Sequence, residues 1–197
     1  SGNPIFEAVS EAMLGWLQLD AFRFGIVPAA EGAASLARAK TAATQATALD
    51  GRNIVALKAL ASIEHYLGNF AESQRLQRAA LALNPNDPDT LAQLGWRLAV
   101  RGDFAEGIPY LQRAIDRTVN PPGWYFHLIA IDDYLNGRYA EMLAGARRGA
   151  ADGSGVSWSL VAIAEAALGD GEAAKAALRR MVEVAPAMAR DPAASVR

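Results

Sequence analysis

The chain has 197 residues, 52% of them apolar, with a formal net charge of −2, a pI near 5.7 and no cysteine. So much apolar material is ample for a core, while the balanced charge supplies none of the basic stripe that phosphate backbones require, which argues against nucleic acid. The lack of cysteine excludes disulfides, thiolate metal sites and cysteine nucleophiles, and no apolar run approaches the roughly 18 residues of a membrane span, so no membrane insertion is expected.

Taken in chain order, the first helix is expected within residues 4–24, with Asn3 as N-cap and Pro4 at the first helical position. Gly25-Ile26-Val27-Pro28 interrupts it, and Ala39, Ala43 and Ala46, followed by Leu49-Asp50-Gly51, mark a second helix. Leu57, Leu60 and Ala61 open a clearer hairpin that turns at Gly68 and returns through Phe70, Ser73, Ala80 and Leu83 to Asn84-Pro85. In the next hairpin Leu91, Leu94, Gly95 and Leu98 fall at i, i+3, i+4 and i+7, the mark of one helix face. Gly102-Asp103 breaks that pattern. Phe104, Gly107, Ile108, Leu111, Ala114 and Ile115 restart it, and Asn120-Pro121-Pro122 ends the second helix, because proline lacks the backbone donor and pushes its predecessor out of the helical region. A weaker hairpin follows with Phe126, Ile129, Ala130, Gly137, Tyr139, Met142, Ala146 and Gly149, then a last one with Trp158, Val161, Ala162, Gly169, Ala174, Leu178, Met181 and Pro186.

The glycines at 68, 102, 137 and 169 are separated by 34, 35 and 32 residues. Three of them are followed two positions later by a ring, Phe70, Phe104 or Tyr139, and the fourth by Gly171. With small residues at Ala61, Gly95, Ala130 and Ala162 and prolines at Pro85 and Pro186, this pattern resembles the tetratricopeptide repeat, a helical hairpin with a period of about 34 residues. The resemblance implies an all-α fold, a right-handed α-α superhelix of about ten helices in antiparallel hairpins. It runs as a single domain over 1–197, with repeats at about 4–52 (degenerate), 54–87, 88–122, 123–154 and 155–187, and with 188–197 as a tail or the start of a capping helix. Gly107 and Met142, where the family usually has alanine, and Gly171, where it usually has an aromatic residue, depart from the pattern.

A single hairpin cannot bury its own apolar face, so neighbours must stack. The resemblance further implies that one set of first-helix positions lines a concave groove. Carried onto this chain, these positions are Val55, Lys58, Ser62, His65 and Tyr66 in one repeat, Asp89, Ala92, Trp96, Ala99 and Val100 in the next, then Trp124, His127, Ile131, Tyr134 and Leu135, then Val156, Ser159, Ile163, Ala166 and Ala167, with the groove centred on Tyr66, Trp96, Trp124 and Tyr134. Trp and Tyr make large rigid anchors, so the expected groove takes an apolar protein segment or peptide. The competing assignment is a small-molecule or lipid-binding scaffold, and rings packed between hairpins, a groove filled by the chain itself, or a homodimer through an end or groove are also compatible. Chaperone-tail capture is disfavoured, since among the clamp positions only Lys58 is of the required kind.

The remaining polar features suggest no catalysis, metal or cofactor. His65 and His127 lie two repeats apart without further ligands at metal spacing. Adjacent Asp132 and Asp133 point about 100° apart on a helix and form no acid/base dyad. Glu64, Asp133 and Glu165 occupy a register position usually apolar, where a carboxylate must reach solvent or pair with arginine, or the register is shifted by a residue. Arg147-Arg148 and Arg179-Arg180 read as solvated faces of second helices. Asn120-Pro121-Pro122-Gly123-Trp124-Tyr125-Phe126, with Asn84-Pro85-Asn86-Asp87-Pro88-Asp89 before it, also resembles the repeat region of bacterial signalling proteins, where such arrays follow a winged-helix or class III adenylate cyclase domain. That resemblance implies a regulatory or sensory module cut from a longer chain. Its compartment would be the cytoplasm, or the periplasm if it follows a membrane span.

Overall fold

The computed structural model describes residues 3–190, and every long element among them is helical. In order these are α1 (Pro4–Arg23), α2 (Gly32–Leu49), α3 (Ile54–Tyr66), α4 (Phe70–Leu83), α5 (Pro88–Ala99), α6 (Phe104–Asp116), α7 (Trp124–Leu135), α8 (Tyr139–Gly149), α9 (Gly155–Ala167) and α10 (Gly171–Val184). Single 3₁₀ turns, Ala29–Glu31 and Ala150–Asp152, precede α2 and α9, and the short α11 (Pro186–Arg190) follows α10. The ten long helices match the sequence expectation. Pro186, expected to close the last repeat, instead opens α11, and the rest of the expected tail lies outside the described residues.

Helix starts follow from their capping residues. The Asn53 side chain accepts the Ala56 N–H at 3.1 Å, Asp103 that of Glu106 at 3.1 Å, and Asp170 that of Ala173 at 2.9 Å, each satisfying a donor the helix cannot. Helix ends follow from the recurring glycine. Gly68, Gly102, Gly137 and Gly169 have φ of +81°, +92°, +71° and +87°, a left-handed conformation that costs other residues more. At each, the glycine N–H and the following N–H bond back to the first helix. In the first case Gly68 donates to the His65 carbonyl at 3.0 Å and Asn69 to that of Glu64 at 2.8 Å. This paired closure stops the helix and turns the chain.

The chain divides into two compact units, Ser1–Leu94 and Gly95–Arg197, with the division inside α5. In the first unit α1 pairs with α2 and α3 with α4, and α3 also packs on α1 and α2. Its core gathers Leu19, Leu36, Ala39, Ala43, Leu57, Leu60, Ile63, Leu76 and Ala80. Small residues let the backbones meet: a Cβ on Gly15 would lie 3.2 Å from the Ala43 Cβ, and the Ser73 hydroxyl donates to the Ala61 carbonyl at 2.6 Å.

In the second unit α7 pairs with α8, α9 with both α8 and α10, and α6 with α7. Its core includes Ala130, Met142, Ala146, Leu160, Val161, Ala164 and Ala177. The α5 and α6 backbones approach closely. A Cβ on Gly107 would fall 2.6 Å from the Gly95 carbonyl oxygen, and one on Gly95 would fall 2.7 Å from that of Gly107. Gly107 thus departs from the usual alanine because two backbones touch there, leaving no room for a methyl group.

Candidate functional site

The first unit holds Lys58, Ser62, His65 and Tyr66 on α3, and internal partners take up the first two. The Lys58 side chain, 14% exposed, bridges Asp87 at 3.2 Å and also pairs with Asp89. Asp87 caps α5 through the Thr90 N–H at 3.0 Å and also accepts from the Thr90 hydroxyl. Burial pushes the Asp87 carboxyl up, but the Thr90 hydroxyl, the Lys58 charge and the Thr90 N–H outweigh it and hold it below its ordinary value. Ser62 is buried, donating to the Lys58 carbonyl at 2.9 Å and to Gln93 Oε1 at 3.2 Å. Position for position, this half of α3 ties its hairpin to the start of α5.

The other half of α3 differs. His65 lies edge-on to Tyr66 and Phe70, with ring centroids 5.9 and 5.3 Å away, and Tyr66 meets Phe22 of α1 at 5.8 Å. Tyr66 stays 43% exposed in this cluster, beside exposed Leu67 and Phe70.

In the second unit lie Trp96 on α5 and Trp124, His127, Ile131 and Tyr134 on α7. Trp96 and Trp124 are half-buried, and the Trp124 ring stands against Tyr125 at 4.5 Å. His127 Nε2 is 2.8 Å from the hydroxyl of Ser157 on α9, and that serine is fully buried. Ile131 is half-buried against the α8–α9 core. Tyr134 is 43% exposed, its ring 5.7 Å from that of Tyr139. Next to it Leu135 is 64% exposed, and Ile163 on the adjoining α9 is 44% exposed.

The three acids at the usually apolar position are buried, and each is met by a cation. Glu64 pairs with Lys40 of α2 at 2.9 Å and accepts from the Asn69 amide at 2.6 Å. Arg138 reaches both Asp133 at 2.8 Å and Asp132 at 2.6 Å, and its guanidinium pKa is raised by the hydrogen bond to Asp133. Arg147 of α8 reaches Glu165 at 2.5 Å. These acids lie where the helix closes: the Glu64, Asp133 and Glu165 carbonyls accept the N–H that follows the turn glycine. Of the arginines expected on solvated faces, Arg147 thus anchors a buried carboxylate and Arg148 lies 4.7 Å over the Phe126 ring. Among the described residues no three His, Asp or Glu side chains are placed to hold a metal, and no helix is long and apolar enough to cross a membrane.

Antiparallel hairpins closed by positive-φ glycines and packed through small residues define the tetratricopeptide-repeat fold, and solved structures agree. YrrB, described as a TPR protein with an unusual peptide-binding site, superposes with a TM-score of 0.60 at 18% identity, over 86% of this chain and 85% of its own. The type IV pilus biogenesis factor PilW gives 0.73 at 19% identity over 89% and 77%, and MamA gives 0.66 at 14% over 80% and 92%. At such identities the likeness is one of fold. No protein-family model matches the sequence, and no curated protein matches it significantly.

Proposed function

We propose that this chain is a non-catalytic scaffold that binds a protein or peptide through apolar side chains displayed by its first helices. Its five successive hairpins would serve as the regulatory or sensory module of a larger bacterial signalling protein. The observation that carries the binding role is the exposure of Tyr134, Leu135 and Ile163 on the adjoining helices α7 and α9. Large apolar side chains left in water at neighbouring register positions are what a partner's anchors require. The peptide-binding site named for YrrB lends the same fold a precedent. A small-molecule site would call for an enclosed apolar pocket. One cleft of about 380 Å³ lies between α1 and α2, and none of the displayed residues lines it. A homodimer is compatible with this role, since pairing multiplies the displayed surface.

The test is a peptide-display selection on the native chain, followed by polarisation titration of a selected peptide. A Tyr134→Ala, Ile163→Ala double variant should bind it at least about tenfold more weakly, each anchor being worth 1 kcal/mol or more. Equal affinity would overturn the assignment.

A further inference from the structure

Helix α1 carries two apolar faces where a surface helix normally carries one. Ala8, Ala12, Gly15 and Leu19 form the buried face, turned toward α2 and α3. About 110° round the helix, at 100° per residue, a second side presents Ile5, Val9, Met13 and Leu17, which are 62%, 43%, 57% and 64% exposed, with Phe6 beside them at 73%. Four-residue spacing aligns these side chains in one stripe. Phe24 and Ile26, 67% and 73% exposed, lie at the C-terminal end of the same helix. Scattered exposed apolar residues are ordinary, but a continuous stripe marks an interaction face.

We propose that this stripe is the face through which two copies of the chain pair, their α1 helices antiparallel about a two-fold axis between Val9 and Met13. Size allows it. At about 150–200 Å² for a fully exposed large apolar side chain, Ile5, Phe6, Val9, Met13 and Leu17 offer roughly 450–600 Å² per partner, about 1,000 Å² in all, the size of a weak, reversible contact. Symmetry favours it, because an isologous contact needs a self-complementary patch. Antiparallel pairing sets Ile5 against Leu17 and Val9 against Met13, bulky apolar residue against bulky apolar residue throughout. Glu7 and Glu11 lie more than roughly 120° round the helix from the stripe, at 100° per residue, so like charges do not meet. α1 has no Lys or Arg before Arg23, and that lack of basic residues argues against an anionic lipid surface as the occupant.

Sedimentation velocity on the 197-residue chain across the micromolar range decides the matter. The native chain should show a concentration-dependent dimer, and Val9→Glu with Met13→Glu should weaken it at least about tenfold while circular dichroism, and the unfolding midpoint at concentrations where the native chain is monomeric, stay unchanged. The cysteine-free sequence gives a second readout independent of those substitutions. Mixed Val9→Cys and Met13→Cys chains should cross-link on mild oxidation, and Thr44→Cys, on the exposed side of α2, should not. A monomer at every concentration, a dimer untouched by the glutamates, or cross-linking no better than at Thr44 overturns the proposal. A monomer that binds phosphatidylcholine vesicles does so as well, giving the face to lipid.

Discussion

Helices α3 and α7 occupy the same place in their hairpins, the second and the fourth, yet they fasten to their neighbours by different chemistry. In α3 the fastening is ionic: Lys58 reaches across to Asp87 and Asp89 at the start of α5. In α7 the residue in the same register is His127, bonded to the buried hydroxyl of Ser157 on α9. Both helices then give their last turn to display, Tyr66 in one and Tyr134 with Leu135 in the other. In these two helices the earlier residues are spent on contacts to the next hairpin, and the last turn stays exposed.

The largest expected effect lies in the hairpin between these two, which closes through bare backbone. Gly107→Val drives a side chain into the Gly95 carbonyl and the Ala99 N, 2.6 and 2.8 Å from the first added carbon. It should cost about 3 kcal/mol, measured by urea denaturation. A loss under about 0.5 kcal/mol would mean the two helices part freely, and packing would not be what sets them.

The fastenings themselves come next. Lys58→Ala removes the cation that bridges Asp87 and Asp89 and should cost about 1–2 kcal/mol, whereas His127→Ala removes the hydrogen bond to Ser157 and should cost about 0.5–1.5 kcal/mol. Raised salt should shrink the first difference more than the second, because only the first is ionic. Equal salt dependence would dissolve the contrast between α3 and α7.

Acid probes the same contrast with a smaller effect. Asp87 is held below its ordinary value of 3.8, so its contribution is complete above that value and is lost as pH falls through the lowered one. Asp87→Asn should therefore flatten the acid limb of stability below about pH 4 by under about 1 kcal/mol, since the pair is partly solvated. A limb unchanged by the substitution would remove Asp87 from the ionic fastening.

The smallest expected effect is on stability at the display end. Tyr134→Ala should shift stability by no more than about 0.5 kcal/mol, the usual range for an exposed position, while weakening peptide binding. If it unfolds the chain instead, the Tyr134–Tyr139 contact is structural and the display role fails.

Much of the fold was legible in the residues. The glycines at 68, 102, 137 and 169 mark turns because a left-handed φ follows from backbone sterics, which the residue type alone reports. Asn53, Asp103 and Asp170 cap their helices as short-range chemistry dictates. The candidate site was legible only in part. Register placed Tyr66 and Tyr134 at positions that prove exposed, but it equally nominated Ser62, which is buried against Gln93, and Lys58, whose carboxylate partners lie about thirty residues away. The stripe on α1 went unread because that helix is apolar nearly all round, and its periodicity does not say which face is covered.

What the sequence determined by itself was local: where helices start, where they stop, and the period at which hairpins recur, all of them set by interactions within a few residues. Only the tertiary structure decided which side chains are consumed and which are offered. Glu64, Asp133 and Glu165 show the reason. A carboxyl group at an apolar position needs a partner where it is buried, and Lys40 and Arg147 come from other hairpins.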